Sequence, residues 1–576
     1  RWLRRRLLRL LLRQRLKLLR LLRRLLRRLQ LRLNLLNESS LKIEKYKVDY
    51  SFLKGVGLFW LFLFLQIPAI NRREFRLDNM EKTKETNHEM EAEKNSYSHI
   101  LKYTGLLGGV QGLNMLVGIV RNKFTAMFLG PSGMGLLSLF TATSGFLTSA
   151  TNLGIPTSGV RVVSEAEARN GVEQAISQVR TLSLLSALLG ALVCALLGPL
   201  LNLFTFSWGN HTYHFVLLAP TIFFTILAGG ETAILKGLGK LKSLAAQAFA
   251  LSLLSLLVSV PVYGFFGESG ILAVLFLLAL AQWLLAFSFS RKEHPFRLCL
   301  SRIQLLKAFP MIRLGLSFVL AGMMSSGAEF LVRAFLNHQG NLAEVGLFNS
   351  GITLVLVYGG MVFSVMETDY YPRLSAVRGE GSATSEAENR NLIVNRQLEM
   401  NLLLMGPIIS AIILLLPIAI PLLYNWEFLG VVGMTQIAAA GLLFKAFYMP
   451  LEYIPLSRGE ARVFLVQESC CVVLLIVCEI IGYLLHGLDG LGAGIVVAYA
   501  VESIGVYVFC RIHYAYRLSF PSVQHLLVHV LNLLLLGCVV WLSEVDSWCY
   551  WLLGLFLCAA SLLYSFSRIR RSLKGK

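Results

Sequence analysis

LNMLVGIVRNKFTAMFLGPSGMGLLSLF, residues 113–140, is the stretch that decides the fold. It is apolar enough for lipid, yet Arg121 and Lys123 lie well inside it and Gly130-Pro131-Ser132-Gly133 interrupts it. A charge at membrane depth is costly, so it is kept where it faces protein, water or an anionic ligand. The stretch predicts two membrane helices joined by a tight turn, and it makes Arg121 the first candidate functional residue.

The composition indicates that lipid is the solvent of this chain. Of its 576 residues, 55% are hydrophobic and 15% are charged, against the ~25% charged residues of a typical soluble domain. The nine cysteines are scattered, mostly within apolar runs, and none has the spacing of metal ligands. We therefore interpret them as small buried hydrophobic residues and predict neither a metal site nor a cofactor.

The first 79 residues differ from the rest and supply most of the net charge of +21. Residues 1–32 hold thirteen Arg, one Lys and no acid. Such a tract is compatible with a basic membrane-surface helix or a nucleic-acid-binding arm, but we favour a third interpretation. The first Met is Met80, so residues 1–79 are expected to be no part of the natural protein, and residues 80–99 to form a cytoplasmic leader. We therefore predict no nucleic-acid partner.

Fourteen apolar runs follow, and they must be helices because backbone polar groups in lipid need partners within their own segment. The predicted fold is an all-α integral membrane protein with about 14 transmembrane helices, as two six-helix lobes around a central cavity plus two C-terminal helices. The predicted domains are an N-lobe at 100–313, a C-lobe at 314–517 and a C-terminal pair with a basic tail at 518–576. The runs lie at 103–128, 133–157, 180–206, 213–235, 244–266, 270–290, 314–336, 345–367, 400–424, 431–454, 463–485, 490–510, 524–542 and 547–566.

The charges of the connecting segments fix a predicted orientation. With the amino terminus inside, the inside connections hold 25 Lys and Arg and the outside connections hold none. Cytoplasmic loops carry an excess of these residues. We therefore expect a multi-pass protein of the bacterial inner membrane with both termini in the cytoplasm.

A short internal repeat relates the two predicted lobes. Arg121 is followed by a Gly-rich turn and by Gly135-Leu136, and Arg333 is followed by a similar turn and by Gly346-Leu347. The spacing from Arg to Gly is 14 residues in the first lobe and 13 in the second, and the offset between lobes is about 212 residues. This offset corresponds to six spans, an even number, which predicts parallel halves around an axis along the membrane normal.

The connections exclude most enzyme classes. No predicted outside connection exceeds about ten residues, and the longest inside segment, 371–396, is too short for a nucleotide-binding domain. The chain has no Gly-x-x-x-x-Gly-Lys-Ser/Thr motif, so a built-in ATPase is not expected. We predict that the protein is not an enzyme.

Several motifs resemble a known family. Gly108-Gly109-Val110-Gln111-Gly112, Val120-Arg121-Asn122-Lys123 and Gly133-Met134-Gly135, extended by Asn152-Leu153-Gly154-Ile155, are similar to O-antigen and polysaccharide flippases of the Wzx type. These belong to the multidrug/oligosaccharidyl-lipid/polysaccharide (MOP) exporter superfamily. The segment Gly118-Ile119-Val120-Arg121 is also similar to the first helix of lipid II flippases, where the matching arginine lies in a cationic cavity that meets the lipid pyrophosphate. Arg333 is placed by the internal repeat alone.

The resemblance implies a cargo of undecaprenyl-pyrophosphate-linked oligosaccharide, with membrane lipid and other polysaccharide-assembly proteins as partners. A bare pyrophosphate in hydrocarbon is very costly, and the planar guanidinium of Arg can bind phosphate oxygens bidentately. Sugars would use hydroxyl and amide partners. The candidate cavity residues are Arg121, Lys123, Arg333, Glu329, Arg161 and Asn152. The candidates for coupling to a proton or sodium gradient are Glu367, Asp369, Glu479 and Glu502.

Three competing functions stay open at this point. A multidrug cation exporter of the same superfamily predicts an acidic cavity, whereas the early helices offer Arg and Lys. A lipid II flippase differs only in its cargo. A membrane glycan polymerase or ligase, from a different class, would need a sizeable catalytic loop.

Overall fold

The computed structural model describes residues 86–167, 171–205, 212–295, 298, 302–377 and 383–574, with side chains from Val110 onward apart from residues 302–310 and eighteen further positions. The tract at 1–79, predicted not to be native, lies outside the described residues. Residues 88–576 form one compact unit.

The regular structure of the described residues is entirely helical, as predicted. Short 3₁₀ turns at Gly267–Gly270 and Trp426–Val431 and a π-helical turn at Thr353–Gly359 join some of the α-helices. The α-helices are α1 (Thr86–Thr151), α2 (Ile155–Glu167), α3 (Val172–Thr205), α4 (Thr212–Gly237), α5 (Leu241–Phe266), α6 (Ile271–Glu293), α7 (Arg302–Gln339), α8 (Leu342–Ile352), α9 (Met361–Ala376), α10 (Ala383–Leu423), α11 (Val432–Ser457), α12 (Ala461–His513), α13 (Phe520–Leu542) and α14 (Trp548–Lys574).

The predicted number of membrane crossings agrees with these helices. Ten helical stretches within the described residues are long and apolar enough to cross a membrane. Three of them hold two segments each: α1 bends at Gly130, α5 and α6 meet at a 3₁₀ turn, and α12 bends at His486 and Gly487. The segment formed by α8, its π-helical turn and α9 adds one more crossing. The described residues therefore contain fourteen segments, and the chain is a multi-pass membrane protein.

The turn in residues 113–140 forms as the sequence predicts. Gly130 has φ 61° and ψ −172°, a backbone conformation that only glycine adopts without strain. Pro131 follows, and its fixed φ suits the first turn of the returning segment. The two halves of α1, before and after Gly130, are therefore separate membrane crossings joined without a loop.

Three polar segments differ from the sequence prediction. The inside connection after the second crossing contains the helix α2, and α7 and α10 begin 12 and 17 residues before their apolar runs at 314 and 400. These segments carry several charged residues, so a count of apolar residues does not detect them. The helices therefore continue beyond the predicted crossings at this end of the bundle.

The repeat covers far more of the chain than its first motif. Three glycines of the N-lobe turns have counterparts in the C-lobe turns at a constant offset of 220 residues. In two of these pairs both members have positive φ, near 54–77°. The pairs are Gly239 with Gly459, Gly267 with Gly487 and Gly270 with Gly490.

The two C-terminal helices pack on the C-lobe through a polar seam. Both α13 and α14 contact α10. His529 of α13 is fully buried and lies within hydrogen-bond distance of Ser561 and Ser565 of α14, at 3.3 and 3.4 Å. Asn532 donates to Ser410 of α10 at 3.0 Å. These contacts attach the pair to the outer face of the C-lobe, away from the interface between the lobes.

Candidate substrate cavity

A cavity of about 640 Å³ lies between the two lobes. Both halves of α1 together with α5 and α6 line it from the N-lobe, and α7, α8 and the end of α10 line it from the C-lobe. Its charged lining residues are Arg121, Glu329 and Arg333. Two of the three are arginines, so the cavity carries a net positive charge.

Arg333 is buried at the wall of this cavity and uses its whole guanidinium group. Nε donates to Ser138 Oγ at 2.7 Å, Nη1 to a Glu329 carboxylate oxygen at 3.1 Å and Nη2 to Asn349 Oδ1 at 3.1 Å. Its Cζ atom lies 6.0 Å from the ring centre of Phe348. Ser138 belongs to the N-lobe, so Arg333 joins the lobes while its ion-pair partner Glu329, 63% exposed, faces the cavity.

Arg121 is held more loosely than Arg333. Its nearest polar partners are Ser255 Oγ, 3.5 Å from Nη1, and Asn122 Oδ1, 3.4 Å from Nη2. Both are neutral, and both bonds are at the long end of the usual range for N–H···O hydrogen bonds. The side chain is only partly buried. The guanidinium can therefore exchange these weak contacts for an anion at little cost.

A second cavity, of about 680 Å³, lies wholly within the N-lobe among α1, α4, α5 and α6. Arg121 lines both cavities, as do Thr141, Gly145 and Ser149. The shared walls make the two spaces neighbours that meet at Arg121. Apart from this arginine, the lining of the second cavity is uncharged.

The lobes make close contact at the end of the bundle that holds the turn at Gly130, which we name the Gly130 end. A Cβ atom on Gly135 would meet the carbonyl oxygen of Leu342, and one on Gly346 would meet that of Pro131. Lys123 Nζ donates to the carbonyl oxygen of Pro421 across the lobes at 2.9 Å. The candidate Lys123 therefore joins the lobes at this end and is not among the residues that line either cavity.

Two other candidates also lie away from the described cavities. Arg161 on α2 is exposed and forms an ion pair with Glu165 at 2.7 Å. Asn152 accepts the backbone N–H of Gly154 at 2.8 Å, which supports the tight turn between α1 and α2, where Leu153 has φ 53°. The structure therefore gives both residues local contacts, and their predicted role in the cavity gains no support from the geometry.

The coupling candidates divide into three groups. Glu479 on α12 is buried and interacts electrostatically with Arg333 and Glu329, so it lies beside the cavity wall. Glu502 belongs to a separate cluster deeper in the C-lobe. Glu367 and Asp369 lie on α9, but their side chains are outside the described positions.

The C-lobe cluster brings together groups that the sequence analysis did not connect. One carboxylate oxygen of Glu452, one of Glu502 and the Sγ atom of Cys471 all lie within 4.8 Å of one another. Glu452 is 8% exposed, and its Oε1 has no hydrogen-bond partner. Lys445 interacts electrostatically with Glu452 and Glu502. Its Nζ atom lies 5.7 Å from the ring centre of Tyr499. These residues come from α11 and both halves of α12, so sequence spacing alone could not have joined them.

The fold and both cavities define a class of protein: a two-lobed α-helical membrane protein with a polar central cavity. Residues 100–377 match the polysaccharide biosynthesis protein family. No curated protein sequence matches the chain.

Solved structures show the same fold. The inward closed conformation of the lipid II flippase MurJ is similar over 81% of this chain and 99% of its own, with a TM-score of 0.64 and 15% identity. An inward-facing multidrug resistance MATE family transporter of the MOP superfamily is similar over 70% of this chain and 94% of its own, with a TM-score of 0.58 and 17% identity. An outward-facing MATE family transporter is similar over 72% of this chain and 96% of its own, with a TM-score of 0.51 and 17% identity.

The fold expected from the resemblance is thereby confirmed: the chain has the fold of these MOP-superfamily structures. Residues 100–377, the N-lobe and the start of the C-lobe, match the polysaccharide biosynthesis protein family model. The neighbours are transporters and flippases.

Proposed function

We propose that the protein flips an undecaprenyl-pyrophosphate-linked oligosaccharide, a repeat unit of O-antigen or another polysaccharide, across the bacterial inner membrane. The observation that carries the proposal is Arg121, a weakly held guanidinium at the junction of two polar cavities. A pyrophosphate there would replace its long contacts to Ser255 and Asn122 with charge-assisted hydrogen bonds. The polyprenyl tail stays in lipid.

The arrangement of the lobes supports transport by alternating access. In the orientation expected from the positive-inside pattern, the Gly130 end lies on the side of the membrane opposite the cytoplasm. The lobes contact each other closely at this end. The greater similarity to an inward-facing than to an outward-facing transporter agrees with this state. In this proposal both termini are cytoplasmic, and cargo enters from the cytoplasm.

Two competitors from the same superfamily differ in their cargo. A multidrug cation exporter is disfavoured because Arg121 and Arg333 outnumber Glu329 in the cavity lining. A lipid II flippase is the second candidate, supported by the match to MurJ along 99% of that chain. The two lipid cargoes share the pyrophosphate, so Arg121 would have the same role in both. Complementation of strains lacking either flippase separates them.

The first prediction concerns Arg121 in cells that depend on this protein for surface polysaccharide. Arg121→Ala should reduce polysaccharide export at least tenfold, because a hydrogen bond to a charged group contributes about 1.5–3 kcal/mol. Arg121→Lys should retain part of the polysaccharide export, because lysine keeps the positive charge. Arg161→Ala is the matched control, since Arg161 is an exposed arginine that pairs with Glu165. Normal export by Arg121→Ala at normal protein level would contradict the proposal.

We also propose that the buried acids of the C-lobe couple transport to a cation gradient. Glu452 and Glu502 lie close to each other, with Lys445 near both, and Glu479 interacts with Arg333 of the cavity wall. Uptake or release of a proton or sodium ion changes the charge of such a site, and a buried unbalanced charge is costly. The candidates Glu367 and Asp369 stay predictions from the sequence.

The second prediction tests this coupling in vesicles that hold the purified protein. Glu502→Gln should abolish the dependence of transport on an imposed pH or sodium gradient, because the amide cannot take up or release a proton. Glu460→Gln is the control, since Glu460 pairs with Arg458 outside the cluster. Gradient dependence that survives in Glu502→Gln, Glu452→Gln and Glu479→Gln alike would exclude these acids.

A further inference from the structure

The N-lobe cavity differs in chemistry from the cavity between the lobes. Ten of its eighteen lining residues carry an uncharged hydroxyl or amide, and Arg121 is its one charged lining residue. Neither an aromatic ring nor a carboxylate is among these lining residues. The polar set is Asn114, Thr141, Ser144, Thr148, Ser149, Thr221, Thr225, Ser252, Ser255 and Gln282.

Three of these polar groups have no hydrogen-bond partner in the protein. They are the hydroxyls of Thr148 and Thr221 and the amide oxygen Oδ1 of Asn114. Thr221 is only 5% exposed. An unpaired buried polar group costs about 1–3 kcal/mol, and buried groups of this kind are normally paired. Thr141 and Thr225, by contrast, donate to carbonyl oxygens of their own helices.

The three unpaired groups belong to residues of different helices that all line this cavity. Asn114 is on the first half of α1, Thr148 on the second half and Thr221 on α4. Hydroxyls both donate and accept hydrogen bonds, whereas the amide oxygen only accepts. A matching ligand must therefore present several neutral groups that donate and accept in different directions. The hydroxyl and acetamido groups of a sugar ring meet this requirement, whereas a lipid tail has no such groups.

We propose that the N-lobe cavity is the glycan subsite, which binds the first neutral sugar of the cargo while Arg121, which lines both cavities, holds the pyrophosphate. This inference rests on the proposed function and adds the placement of the cargo. The volume of about 680 Å³ falls within the ~300–1,000 Å³ range of small-molecule pockets. Arg121 lines both cavities, so the charged linkage and the sugar meet the protein at neighbouring positions.

The test compares two probes that bind the full chain in lipid nanodiscs. One is undecaprenyl pyrophosphate without sugar, and the other is the same lipid carrying a single N-acetylglucosamine. The native protein should bind the sugar-bearing lipid more tightly. Thr148→Val and Thr221→Val should each weaken its binding about fivefold, the effect of one hydrogen bond of ~1 kcal/mol, and leave binding of the bare lipid unchanged.

Two further variants control for folding and packing. Thr143→Val removes a fully buried hydroxyl from the same half of α1, one that donates to Leu139 O and does not line the cavity. It should leave the affinity for both probes unchanged. Thr148→Ser keeps the hydroxyl and should retain the preference for the sugar-bearing lipid.

The outcomes separate this inference from the proposed function. Equal affinity of the native protein for the two probes would overturn the glycan subsite alone, as would an equal loss for both probes in Thr148→Val and Thr221→Val. Failure of both probes to bind the native protein would overturn the proposed function and the subsite with it.

Discussion

The two arginines of the central cavity differ in how firmly the protein holds them. Arg333 uses each of its guanidinium nitrogens in a hydrogen bond of 2.7–3.1 Å, whereas Arg121 has two contacts of 3.4 and 3.5 Å. A group that must bind and release cargo needs partners that it can leave. We therefore assign cargo contact first to Arg121, and to Arg333 the joining of the lobes.

The third prediction is that Arg333→Lys destabilises the protein although it keeps the charge. Lysine lacks the planar guanidinium group of arginine, so its single ammonium group cannot bond to Ser138, Glu329 and Asn349 at once. Each lost hydrogen bond costs about 1 kcal/mol of stability. The apparent melting temperature of the purified protein should fall, and Ser138→Ala should lower it by a smaller amount. Arg161→Lys, which changes an exposed arginine, should leave it unchanged. An unchanged melting temperature for Arg333→Lys would show that the guanidinium group of Arg333 is not needed for stability.

The sequence pointed to Arg121 and Arg333, which line the cavity, and also to Arg161, which does not line either cavity, and it did not indicate what surrounds them. Arg121 stands out because a charge in an apolar run is costly, and Arg333 follows from the repeat. Ser138 and the three unpaired groups of the N-lobe cavity could not be distinguished in advance, because serine and threonine also occur in membrane helices with their hydroxyls bonded to their own backbone. The cluster of Glu452, Cys471 and Glu502 depends on packing between helices.

At the scale of the elements, the crossings were predictable and their polar extensions were not. Apolar runs of about 20 residues reveal a membrane helix directly, and the glycine turns mark where crossings end. The helix α2 and the early starts of α7 and α10 contain several charged residues and give no such signal. The spacing of these helices around the cavities depends on close contacts that a sequence pattern does not report.

The fourth prediction concerns the contact between the lobes at the Gly130 end. Gly135→Ala should hold this end open, because the new Cβ meets the backbone of Leu342 in the other lobe, while the substitution by itself favours the helix. A cysteine at Thr141, in the cavity, should then react faster with a membrane-impermeant maleimide added outside cells, in a background without native cysteines.

Gly112→Ala is the control for this prediction. It lies on the same helix α1, and its new Cβ would meet nothing within 4 Å. Labelling at Thr141→Cys that is equal in Gly135→Ala and Gly112→Ala would show that the close contact does not govern access from outside.

At the scale of the whole molecule, the fifth prediction is the orientation in the membrane. Cysteines replacing the exposed residues Ser132 and Asp546 at the Gly130 end should be labelled by an impermeant maleimide in intact spheroplasts. Cysteines replacing the exposed residues Lys236 and Arg462 at the opposite end should be labelled only after permeabilisation, because positive residues mark the cytoplasmic side. The reverse pattern would invert the direction of transport proposed above.

The repeat explains why a cavity lies between two similar lobes, although the lobes differ in their polar residues. Matching glycine turns give the lobes the same framework, but the N-lobe cavity is lined by hydroxyls and the C-lobe holds buried acids and a lysine. In the proposed mechanism the N-lobe binds the cargo and the C-lobe responds to a cation. Arg333, which donates to Ser138 of the N-lobe, connects the two lobes.

The most direct test is transport of an undecaprenyl-pyrophosphate-linked oligosaccharide by the purified protein in liposomes. A fluorescent cargo in the outer leaflet becomes protected from an external quencher when it is flipped. We expect the native protein and Arg161→Ala to protect it at the same rate, and Arg121→Ala to be at least tenfold slower. Absence of protection by the native protein, or an equal rate for Arg121→Ala, would contradict the central claim.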